Sequence, residues 1–87
     1  MKSLKNIPIL VTGATGFVGS RLSELLATRE KANVTGTGRK LERVTFLKEH
    51  GVDLQGADLL KEDALKELVK GKEIVIHTAA YLESDME

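Results

Sequence analysis

The sequence predicts an α/β fold, a parallel sheet wound as β-α-β-α-β-α-β with strand order 3-2-1-4. Three observations predict it. Short apolar or β-branched runs alternate with longer stretches of helical periodicity. The connections between them take roughly two to six residues, as α/β units prefer. A glycine-rich loop joins the first run to the first helical stretch, and right-handed crossovers then give the strand order.

Ile7, Ile9, Leu10 and Val11 form an apolar run ending at Thr12-Gly13, which suits a strand covered on both faces. From Phe17 the period changes, and Val18, Leu22, Leu25 and Leu26 mark the apolar side of a helix reaching about Arg29. Residues 33–37 are a second strand, β-branched but thinned by Gly36. Leu41, Val44, Leu47 and Lys48 predict a second helix, stopped by His50-Gly51 with the glycine as a left-handed cap. Residues 52–55 are a short third strand. Ala64, Leu65, Leu68 and Val69 predict a third helix, opened by Glu62 and Asp63 and closed by Lys70 and Gly71, so its charges complement the helix dipole. Residues 73–77 are the fourth strand, with His77 packed at its buried end. A flavodoxin-like domain shares this element order, and the first loop separates the two readings.

Composition narrows the function. Eighty-seven residues make one small domain with a marginal core. Thirteen basic residues balance thirteen acidic ones with no run of either, so no nucleic-acid partner is expected. The absence of cysteine removes disulfides, thiolate metal sites and a cysteine nucleophile. No apolar stretch approaches the ~18 residues of a membrane span, and a cytoplasmic location is the expectation.

The loop Thr12-Gly13-Ala14-Thr15-Gly16-Phe17-Val18-Gly19 carries three glycines at intervals of three, between a strand and a helix. Gly13 permits the turn out of the strand, Gly16 lets the backbone approach a pyrophosphate, and Gly19 lets the helix pack closely. The amides of Gly16, Phe17 and Val18 then face the anion at the positive helix end. Thr15 has an N-cap side chain and can donate to a phosphate oxygen.

This loop resembles the first motif of the extended short-chain dehydrogenases/reductases, also called the NAD-dependent epimerase/dehydratase family. Gly38-Arg39, Gly56-Ala57-Asp58-Leu59 and Val75-Ile76-His77-Thr78-Ala79-Ala80 agree in order and spacing, so the resemblance covers essentially the whole chain. It implies a doubly wound Rossmann sheet that binds a dinucleotide. It places Asp58 at the adenine amine with Leu59 facing the ring. It places the small residues Thr78, Ala79 and Ala80 beside the adenosine ribose.

Position 38, where NAD-binding folds carry an acid for the ribose 2′-hydroxyl, is a glycine followed by Arg39 and Lys40. A guanidinium binds a 2′-phosphate through paired hydrogen bonds, so NADP is favoured over NAD.

The family's Tyr-x-x-x-Lys acid/base pair is absent. The one tyrosine, Tyr81, has Asp85 four residues on. No catalytic residue and no metal-ligand set is expected. Residues 1–87 therefore read as a partial dinucleotide-binding domain, truncated after the fourth strand. The intact protein is expected to be an NAD(P)-dependent reductase, epimerase or dehydratase with a small-molecule substrate. A non-catalytic dinucleotide-binding sensor is the alternative. The fourth strand, unpaired outward, is a candidate surface for self-association.

Overall fold

A computed structural model describes residues 3–56 and 61–78. Its strands are β1 (Pro8–Thr12), β2 (Asn33–Thr37), β3 (Asp53–Leu54) and β4 (Ile74–His77). All pair in parallel, in the order β3-β2-β1-β4. The helices are α1 (Phe17–Thr28), α2 (Phe46–Glu49) and α3 (Glu62–Val69). This is the expected Rossmann-type arrangement.

The chain steps from β1 to β2 to β3 in one direction, so right-handed crossovers put α1 and α2 on one face. There Ile9, Val11, Leu26, Val34, Val44, Leu47 and Val52 form the core. The return from β3 to β4 runs the other way, and the same rule carries α3 to the opposite face. Alternation along β1 turns the fully buried Leu10 toward that side.

The stripe that α1 buries matches the expected one in part. Leu26 is buried and Leu22 packs half-buried against the core, but Gly19 and Ser23 are buried as well, Leu25 is only half-buried and Val18 is 46% exposed. The glycine loop sets this phase. Gly19 must face the loop, and residues four and seven positions later follow it onto the sheet. Ser23 is tolerated there because its hydroxyl donates to the Gly19 carbonyl at 2.8 Å.

The second helix is not continuous. Leu41–Val44 is a 3₁₀ turn, and the α-helical turn begins only at Phe46. The buried or half-buried positions Leu41, Val44 and Leu47 recur every three residues, the period of a 3₁₀-helix, and an α-helix would rotate them off the core. Gly51 closes the segment at φ +91°, as a left-handed cap requires.

Gly36 is not a weak point in β2. A β-carbon there would meet the Ala14 methyl at 2.9 Å and Leu54 Cδ2 at 3.3 Å, so the missing side chain lets the loop lie on the strand.

Candidate functional site

The loop after β1 crosses the carboxyl ends of the strands, where α/β sheets place their ligand crevice. Gly13 takes φ +75°, a left-handed turn that side chains disfavour. The Ala14 amide donates to the Thr37 carbonyl at 2.9 Å and ties the loop to the end of β2. Ala14 is fully buried. Neither Ala14 nor Gly36 was picked out from sequence as a site-shaping residue, although their small size was the available signal.

Two expectations about the loop need correction. The N-cap of α1 is Gly16, not Thr15, and no side chain caps it. The Gly16 amide is not free for an anion, because it closes a tight turn by donating to the Gly13 carbonyl at 3.0 Å. The first helical bond runs from the Ser20 amide to the Gly16 carbonyl. The amides of Phe17, Val18 and Gly19 therefore precede the ladder, with no partner among the described residues.

That end of α1 is open. Phe17 is 88% exposed, and the first turn holds no acidic side chain to compete for the positive pole. Phe17 also lines a shallow groove on the outer side of α1 with Ser20, Arg21, Glu24 and Phe46.

Gly19 sits at a very close approach. A β-carbon there would overlap the Gly13 carbonyl and come within 2.7 Å of Thr78 Oγ1. The Thr78 hydroxyl in turn donates to the Thr12 carbonyl at 2.9 Å. The start of α1, the end of β1 and the residue after β4 thus meet at a single place.

His77 was expected to be packed; it is exposed, because β4 is the sheet edge among the described residues. Its Nδ1 lies 2.8 Å from Thr12 Oγ1. On the other flank of Thr12, in register, stands Thr37. The Thr37 hydroxyl is buried and has no partner among the described residues.

Gly38 follows β2 and faces the loop, with Thr15 Oγ1 3.0 Å from where its β-carbon would be. Arg39 and Lys40 are exposed beyond it, and Lys40 has a left-handed backbone (φ 51°). Of the remaining expected site residues, Asp58, Leu59, Ala79 and Ala80 lie outside the described residues. No described helix is long and apolar enough to cross a membrane.

The site residues fit a dinucleotide on two observations: an open helix start whose amides have no partner among the described residues, and a strand end that carries a glycine beside the loop.

Comparison with known proteins agrees. Residues 9–87 match the model of the NAD dependent epimerase/dehydratase family. The chain is 32% identical over 84 residues to the fatty acid hydroxylase uhd1 of Mycosarcoma maydis, covering 92% of this chain and 28% of that protein. Vestitone reductase from alfalfa superposes with a TM-score of 0.72 at 29% identity, over 88% of this chain and 26% of the reductase. A short-chain dehydrogenase/reductase from Veillonella parvula gives a TM-score of 0.76 at 26% identity, over 93% of this chain and 38% of that one. The chain thus spans between about a quarter and two-fifths of these three proteins.

Proposed function

The chain belongs to the NAD-dependent epimerase/dehydratase family, and from that premise we propose that it holds NADP in preference to NAD, as the nucleotide-binding part of an oxidoreductase, epimerase or dehydratase. Binding of a nicotinamide dinucleotide follows from the family. The preference is carried by one observation: β2 runs into Gly38-Arg39 beside the glycine loop, with no carboxylate at the strand end.

An acid at that end accepts hydrogen bonds from a ribose 2′-hydroxyl and repels a 2′-phosphate. Gly38 does neither. The exposed guanidinium of Arg39 supplies paired donors for a phosphate, and Lys40 adds positive charge next to it. The amides of Phe17 and Val18 serve the pyrophosphate, and the Thr15 hydroxyl is a further donor. Asp58 accepts from the adenine amine, with Leu59 against the ring. Thr78, Ala79 and Ala80 leave room for the adenosine ribose. The bound nicotinamide supplies or accepts a hydride, and the substrate is a small molecule held by the remainder of a longer protein.

Calorimetric titration of the chain with NADP+ and NAD+ tests the reading. Tighter binding of NADP+ by about tenfold or more, a difference that shrinks as salt rises, is the expected result. Equal affinities at all salt concentrations would remove the 2′-phosphate from Arg39.

A further inference from the structure

We propose that Thr78 is a positioning residue for the glycine loop: its hydroxyl holds the turn out of β1 in the shape that leaves the α1 amides open to a pyrophosphate. The ligand half of this inference rests on the dinucleotide reading above. The Thr78 hydroxyl donates to the Thr12 carbonyl at 2.9 Å, and the Gly13 carbonyl lies further off at 3.4 Å. The Thr78 amide donates to the same Thr12 carbonyl at 3.3 Å, so the side chain supplies the shorter of the two bonds.

The Thr12 carbonyl belongs to the last peptide unit before the chain turns. A peptide unit is planar, so holding its oxygen fixes the plane from which Gly13 departs at φ +75°. The carbonyl of Gly13 in turn accepts from the Gly16 amide at 3.0 Å and closes the turn that leads into α1. A rotation of the first plane is therefore passed to the helix start. The other anchor of the loop is backbone alone, the Ala14 amide on the Thr37 carbonyl. Among the described residues outside the loop and α1, no other side chain donates to the Thr12 or Gly13 carbonyl.

The same geometry says what the hydroxyl does not do. It has one proton, and that proton is committed to the Thr12 carbonyl, so it is no donor to a ribose. Thr78 leaves room for the adenosine by its size, while its hydroxyl acts on the pyrophosphate end through the loop.

Three ligands separate the two ends. NADP+ and ADP-ribose carry the pyrophosphate, and adenosine 2′-phosphate carries the adenosine end without it. Their affinities are measured by calorimetry for the chain, for Thr78→Val, which keeps the shape without a donor, and for Thr78→Ser, which keeps the donor. Valine should weaken NADP+ and ADP-ribose by about fivefold or more, the worth of one net hydrogen bond, and leave adenosine 2′-phosphate unchanged. Serine should restore both losses.

A purely structural role would move all three ligands together with the melting temperature, and a role beside the ribose would move adenosine 2′-phosphate most. Either result overturns the proposal, as does a serine variant as weak as the valine one. If the valine methyl crowds the carbonyl and the variant does not fold, Thr78→Ala, which vacates the space, takes its place with the same expectations. Solvent exchange of the Gly16 amide reads the turn with no ligand present. Faster exchange in the valine variant, restored by serine, upholds the positioning role, and equal rates overturn it. Failure of the unsubstituted chain to bind any of the three ligands would count against the dinucleotide reading and leave the exchange result to decide the role of Thr78.

Discussion

Thr12 Oγ1 and His77 Nδ1 are 2.8 Å apart, across a register pair that joins β1 to β4 at the carboxyl edge of the sheet. Thr12 is almost fully buried while His77 is exposed, so the bond connects the interior to the rim. Without the ring, the nearest other acceptor for the hydroxyl is the Ile76 carbonyl at 3.5 Å, the outer limit of a hydrogen bond.

A double-mutant cycle of Thr12→Val and His77→Phe should therefore show a coupling of about 0.5–1.5 kcal/mol in denaturant unfolding, the usual range for one net hydrogen bond. Additive single effects would mean that water serves each group equally well.

Two glycine substitutions should fail for different reasons. Gly19→Ala places a methyl group against the Gly13 carbonyl and Thr78 Oγ1, at the junction of β1, α1 and β4. We expect a loss of about 1–3 kcal/mol in stability and a marked fall in dinucleotide affinity, because the loop itself must shift. Gly51→Ala meets nothing within 4 Å but imposes a left-handed conformation at φ +91°. It should cost about 1–2 kcal/mol and leave cofactor affinity unchanged. Thermal unfolding and calorimetry on the two variants separate crowding from backbone strain. An affinity loss for Gly51→Ala equal to that for Gly19→Ala would refute the separation.

Element type was legible because it depends on period and on glycine placement, both local properties, and strand order followed from the handedness of the crossovers. The details that went astray are set by tertiary contacts. The phase of α1 follows from Gly19 having to face Gly13, which turns Val18 out to solvent while Leu22 and Leu26 keep to the core side. Thr15 has the side chain of a cap, yet the turn bond from Gly16 to Gly13 shifts the N-cap one residue onward. The pairing of Thr15 with Gly38 is invisible in one dimension, since the residues are far apart in the chain and only the crossover from β1 to β2 brings them together. His77 looks like a core residue at the end of an apolar run; its exposure depends on which strand lies beside β4.

Arg39 provides the direct test of cofactor choice. If its guanidinium holds a 2′-phosphate, Arg39→Ala should weaken NADP(H) by about 1–3 kcal/mol, as expected for loss of charge-assisted hydrogen bonds. NAD(H) lacks that phosphate and should change little. Arg39→Lys keeps the charge without the planar pair of donors and should fall between the two. Equal losses for both cofactors would return Arg39 to a purely solvated role.

The edge of the sheet should govern solution behaviour. Among the described residues β4 pairs with β1 alone, and its outer row of N–H and C=O groups faces away from the sheet. Ile74 and Val75 are each 37% exposed, and the run Ile74-Val75-Ile76 has neither a charge nor a proline to discourage pairing. Such a strand is a template for another copy of itself. We therefore expect concentration-dependent association of the purified chain, seen as a rising sedimentation coefficient. Val75→Lys puts a charge on the edge at a side chain that already reaches solvent, and should suppress association with little loss of stability. The change Glu73→Gln, just outside the strand, raises the net charge by the same single unit and controls for charge alone. If both substitutions suppress association equally, general charge repulsion is responsible; if the parent chain stays monomeric at ~100 μM, the edge is not adhesive and this prediction fails.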